Sequence, residues 1–110
     1  MEKKLINLTP HEICVYMDDG DILVIPPDET PARCVESSQK IYELNGVPVV
    51  IKKYGDVEGL PEKEPGHAYI VSIIVANAVR GTRGDVYITA DLVRDASGRV
   101  VGCRSFAQVQ

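Results

Sequence analysis

With 110 residues, 45% of them hydrophobic and 25% charged, the chain has the make-up of one ordinary globular domain spanning 1–110, which excludes a disordered tail or a fibrous repeat. Its net charge of −4 argues against a nucleic-acid-binding surface, which needs a clustered basic stripe, yet leaves room for a small anion held by a few donors. Five Tyr, one Phe and no Trp leave the core to aliphatic side chains, and the β-branched ones among them favour strands.

In chain order, Leu5 to Leu8 reads as a first strand, broken by Thr9-Pro10-His11 because proline removes a ladder donor and restricts its neighbour. Ile13 to Met17 and Ile22 to Ile25 flank Asp18-Asp19-Gly20-Asp21, and an Asp-Gly pair between two β-branched runs predicts a hairpin. Pro26-Pro27 ends that strand, Asp28 to Pro31 is a polar turn, and Ala32 to Glu36 is a third strand. Ser37 to Glu43 is ambiguous. Asn45-Gly46 marks a turn, and Val47 to Lys53 reads as a strand that Pro48 pushes towards an edge. Tyr54 to Gly66, rich in glycine, proline and acidic residues, reads as a long surface loop.

Tyr69 to Val71 follows as a strand, and Ser72 is the N-cap of a two-turn helix over Ile73 to Arg80 with Gly81 beyond its end. Val86 to Thr89 is a strand, and Val93 to Asp95 with Arg99 to Arg104 brackets Ala96-Ser97-Gly98 as a further hairpin. Roughly seven strands and one short helix result. The expected class is α+β: a mainly antiparallel or mixed sheet built of hairpins, with the helix on one face.

Three cysteines, Cys14, Cys34 and Cys103, form an odd set, and no secretory leader precedes Lys3, which reads as reduced thiols in a cytoplasm. The apolar run from Ala68 to Val79 is too short to span a bilayer, so no membrane partner is expected. None of the cysteines lies at an expected helix start, so a nucleophilic Cys–His pair with His11 or His67 is less favoured than core packing. His11 and Cys14 have the separation of a ligand pair, but residues three apart on a strand face opposite ways, and no second pair completes a tetrahedral set. No catalytic residues, metal or cofactor are therefore expected. Asp18, Asp19 and Asp21 serve a hairpin turn better than a calcium loop, since no bidentate Glu follows at the required distance.

The segment Arg80-Gly81-Thr82-Arg83-Gly84-Asp85 leaves a helix instead of opening one, so it is neither a P-loop nor a dinucleotide fingerprint. Two arginines three residues apart, with Thr82 between them, nevertheless have the chemistry to grip a phosphate. The plainer account, slightly favoured, pairs Arg80 and Arg83 with the acidic stretch around Glu58 to Glu64 or leaves them solvated. His11 follows a rigid break that would present its ring to a ligand, although a lone histidine more often packs with one ring nitrogen on a backbone carbonyl. Tyr69 and Tyr87 offer faces for a base, although such side chains more often complete a core edge.

Several strings carry a family resemblance: Asn7-Leu8-Thr9-Pro10-His11, Gly59-Leu60-Pro61, Tyr69-Ile70-Val71-Ser72, Val75-Ala76 with Arg83 and Asp85, and Val93-Arg94-Asp95 with Gly98-Arg99 and Gly102-Cys103. Together they resemble a family of short, mostly uncharacterised phage, prophage and bacterial proteins, over nearly the whole chain. The chain is also similar to phage sponges of the Sequestin or Lockin type, which withhold nucleotide immune signals from bacterial defence effectors. That resemblance implies a small homo-oligomer with pockets at or near subunit interfaces, working in the host cytoplasm. The expected function is non-enzymatic capture of a small anionic nucleotide, such as a cyclic ADP-ribose isomer, an ADP-ribose conjugate or a cyclic dinucleotide. Arg80 and Arg83 would hold phosphates, Tyr69 or Tyr87 would stack on the base, and His11, Thr9 and Asn77 would supply polar contacts. The alternatives are a protein-interaction module presenting the acidic loop from Asp56 to Glu64, and, less favoured, a nucleotide hydrolase built on His11, His67 or Asp85.

Overall fold

The structure is a computed structural model that describes residues 2–109. Eight strands and one helix follow in the order β1 (Lys4–Asn7), β2 (Ile13–Tyr16), β3 (Ile22–Ile25), β4 (Arg33–Leu44), β5 (Val47–Glu58), β6 (His67–Ile70), α1 (Ile73–Ala78), β7 (Val86–Arg94) and β8 (Val100–Ala107). Six of them form one sheet in the order β1-β6-β7-β8-β2-β3, while β4 and β5 pair only with each other. The sheet curls until its edges meet: Asn7 bridges Pro27 in parallel, and the Asp28 amide donates to the Asn7 carbonyl at 2.8 Å. The body is thus a nearly closed barrel. With a helix of only six residues, the molecule is more thoroughly β than the α+β class expected from the sequence.

Strand β6 is the pivot, because both of its faces are covered. Ile70 points into the barrel among Ile13, Val15, Ile25 and Cys103. Tyr69 and Val71 point the other way, into a second cluster with Leu8, Ala32, Val75, Ala76 and Val86 under α1 and the base of the β4–β5 hairpin. Period-2 alternation sends neighbouring side chains to opposite faces, so Tyr69 and Ile70, side by side on β6, feed two different cores. Its parallel neighbours β1 and β7 complete this central layer. The helix is the crossover from β6 to β7: Ser72 caps it by accepting from the Val75 amide, as its sequence position predicts, and Gly81 follows with φ +81°.

The hairpins at Asp18 to Asp21 and at Ala96 to Gly98 form as expected. The region from 33 to 58 departs from expectation. Ser37 to Glu43 is strand, and the stretch from Tyr54 to Glu58, read as the start of a loop, continues β5; the loop proper is confined to 59–66. These strands form a two-stranded arm, turned at Asn45 (φ 51°) and Gly46 (φ 82°), the paired left-handed conformations of a tight hairpin. Twelve residues per strand extend for about 40 Å. The arm stretches the molecule to 52 × 39 × 27 Å, with a radius of gyration of 16.5 Å.

Candidate functional site

The sequence Asn7-Leu8-Thr9-Pro10-His11 builds a tight corner where the barrel closes. The Asn7 side chain is 2% exposed and uses its whole amide. Its Nδ2 donates to the His11 carbonyl at 2.7 Å and the Ile25 carbonyl at 3.0 Å, while its Oδ1 accepts from the Thr9 amide at 2.9 Å. The Thr9 hydroxyl lies 2.6 Å from Asn7 Oδ1 and 3.0 Å from the His11 carbonyl, with one proton to give to either. Asn7 therefore does two jobs: it ties β1 to β3 across the seam and folds the chain back at Pro10. Sequence reasoning passed over it, although an Asn two residues before a Thr-Pro break is the pattern of a side chain capping its own turn.

This corner separates two hollows. The larger, about 390 Å³, is lined by Thr9, His11, Glu12, Ile13, Cys14, Thr89, Leu92, Val100, Val101, Gly102 and Cys103. Its lining is mostly apolar, supplied by β2, β7 and β8, with Thr9, His11, Glu12 and Thr89 as its polar members, and its Leu92, Val100 and Val101 side chains are also open to solvent. Its size falls within the range of small-ligand sites, which pair apolar walls with a few polar groups. His11 is exposed, and its imidazole makes no hydrogen bond among the described residues. Gly102 keeps the lining thin: a Cβ there would meet the Cys14 carbonyl at 2.6 Å and the Tyr16 ring, so only glycine lets β8 lie this close to β2. Burial pushes the Cys103 thiol up, and with 1% exposure it is a packing residue. The smaller hollow, about 270 Å³, lies on the other side of Pro10 and includes Arg33, Ser72 and Tyr54 at the root of the arm.

The residues expected to grip a nucleotide are distributed over separate places. Thr9 and His11 come together at the larger hollow. Arg80 and Asn77 are exposed around the helix exit, and neither lines either of these hollows. Tyr87 is half-buried on β7 opposite Ile70. Tyr69 is 1% exposed, so its ring has no face open for stacking; its hydroxyl is 3.4 Å from the Glu62 carbonyl.

Arg83 is committed within the fold. Its Nε and one terminal nitrogen donate to the two carboxylate oxygens of Asp85 at 2.8 and 2.9 Å, and the same terminal nitrogen reaches the Pro61 carbonyl at 2.9 Å. The guanidinium also lies 6.0 Å from the centre of the Tyr69 ring. The Arg83 guanidinium holds the Asp85 carboxyl below the ordinary aspartate range, and the bond to Asp85 in turn raises Arg83. This bidentate pair, with Asp85 4% exposed, pins the 59–66 loop to the barrel. The physical reason that Arg83 is a structural group is its neighbour two residues on: the carboxylate that accepts its fork belongs to the same turn. Arg83 meets the loop at the Pro61 backbone carbonyl and takes Asp85 as its ion partner, a residue outside the Glu58 to Glu64 stretch that the plainer account named.

These features define a small barrel with a corner site of binding-pocket size and a projecting arm. No protein-family model, curated protein or solved structure matches the chain.

Proposed function

We propose that the protein is a non-enzymatic binding protein that captures a small nucleotide signal, with the base seated in the hollow beside the Thr9-Pro10-His11 corner. The observation that carries this reading is the hollow itself: a space of about 390 Å³ with a largely aliphatic lining and, at its edge, the His11 imidazole, which makes no hydrogen bond among the described residues. The lining carries Glu12 and no arginine or lysine, so the phosphates of such a ligand face outward from it. Capture of this kind calls for tight binding and slow release, and nanomolar affinity corresponds to about 12 kcal/mol.

Titration calorimetry against cyclic ADP-ribose isomers, ADP-ribose conjugates and cyclic dinucleotides tests the proposal. One class is expected to bind, with affinity falling about tenfold or more in His11→Ala and in Val101→Trp, which fills the hollow. Failure of every member of the panel to bind overturns it. A second reading, a protein-interaction module, is favoured by one different observation: the arm exposes Leu44 and Val47 by more than 60% each.

A further inference from the structure

The two hollows beside the Thr9-Pro10 corner offer different chemistry. Apart from the His11 imidazole, the larger has no aromatic ring in its lining, and it has no arginine or lysine. The smaller has both an aromatic ring and a cation: Tyr54, 48% exposed, and Arg33. Pro10 and Ile74 add apolar lining there, and Ser72 adds a hydroxyl. Thr9 lines both hollows, so a single residue divides them. That divider is held in place, because Asn7 Oδ1 accepts from the Thr9 amide at 2.9 Å and lies 2.6 Å from its hydroxyl.

Arg33 is free to change partners. Its ion partner is Glu58 at 3.4 Å, and the two side chains are 76% and 57% exposed. A pair so open to water holds weakly, and a phosphate offers the guanidinium fork more charge and more acceptor oxygens than that carboxylate does. Glu36, the carboxylate that lines the smaller hollow, is itself held by Lys52 at 2.8 Å. The other arginines near the expected site do not compete. Arg83 is taken by Asp85, and Arg80 lines neither hollow.

We propose that the smaller hollow is a second subsite of the same ligand site. A nucleotide whose base sits beside His11 passes its phosphate over Thr9 and Pro10 to the Arg33 guanidinium and lays a second base on the Tyr54 ring. This inference rests on the reading of the larger hollow as the seat of a base. It narrows the ligand to nucleotides with two bases joined through phosphate. A one-base ligand seated in the larger hollow leaves the Tyr54 ring unused, and with it the about 270 Å³ at the root of the arm.

Calorimetric titration of the full chain with cyclic dinucleotides of adenine, of guanine and of both tests the assignment, with AMP, GMP and a cyclic ADP-ribose isomer as one-base probes. One cyclic dinucleotide is expected to bind at least about tenfold more tightly than every one-base probe. Arg33→Gln and Tyr54→Ala are each expected to weaken it about tenfold or more, while Tyr54→Phe, which keeps the ring and the fold of the arm, retains the affinity. Lys63→Gln removes a positive charge that lines neither hollow and is expected to change nothing. A one-base probe that binds as tightly as the cyclic dinucleotides overturns the proposal, as does a dinucleotide affinity indifferent to Arg33→Gln or to Tyr54→Ala. If binding depends on His11 and Val101 and not on Arg33 or Tyr54, the second subsite is refuted and the base seat stands. If binding depends on Arg33 and Tyr54 and not on His11 or Val101, the base seat is refuted, and the two-hollow arrangement goes with it.

Discussion

Barrel and arm are built from the same kinds of residue, yet they solve opposite problems. In the barrel, four of the six strands need only four residues because each strand meets a neighbour, and β6 is covered on both faces. In the arm, strands three times as long pair only with each other and leave nearly every residue exposed. Strand length therefore says little about stability here. What separates the regions is whether the apolar face of a strand finds cover within its own chain.

This contrast makes the cost of a substitution depend on its region. The largest effect is expected for Asp85→Ala, which strands the Arg83 guanidinium in a mostly buried place and should cost about 3 kcal/mol, read as a lowered melting temperature. Next comes Asn7→Ala at the seam, where two carbonyls and an amide lose their partner, at about 2 to 3 kcal/mol. A smaller change is expected from replacing Lys52 by Ala on the arm's charged face. That pair is exposed on both sides and should be worth under about 1 kcal/mol, lost in high salt. A Lys52→Ala variant as damaging as Asn7→Ala would break the division into a self-sufficient barrel and a dependent arm.

Acid sharpens the same comparison. Because Arg83 holds Asp85 below the ordinary aspartate range, the stabilisation of the pair is complete above about pH 4 and is lost as pH falls through the folded-state value. In Asp85→Asn the stability deficit seen at neutral pH should shrink below about pH 4, since protonation then removes from the wild type what the substitution already removed. Urea melts at a series of pH values measure this. The smallest effect concerns thiols: Cys14 and Cys34, half-buried, should label under native conditions, and Cys103 only on unfolding.

The legible parts of the fold are those that short-range chemistry dictates. Asp19-Gly20, Asn45-Gly46 and Ser97-Gly98 gave their turns, and Ser72 gave the start of the helix, which ends at Ala78 with Val79 as its cap, two residues short of the expected Arg80. Two stretches of the arm, Ser37 to Glu43 and Tyr54 to Glu58, were obscure because almost nothing in them is buried. Ser37, Ser38 and Gln39 show no apolar alternation, and Gly55-Asp56 carries the composition of a loop although cross-strand pairing resumes beyond it. Closure of the barrel was equally hidden, since the meeting of its two edges at Asn7 and Pro27 is settled by packing between distant segments. At the site, the proline break exposed Thr9 and His11 to sequence reasoning. The fate of Arg83 depended on Asp85 and Pro61 coming within reach of it, which local sequence does not reveal.

The order of pairing along the chain also bears on how the molecule is made. All cross-strand pairs of the arm lie between Arg33 and Glu58, while Lys4 must wait for His67 and the last barrel strand ends at Ala107. As the polypeptide leaves the ribosome, the hairpin can therefore zip long before the barrel has its full set of strands. Until α1 covers its root, that hairpin has only its own two strands to hold it.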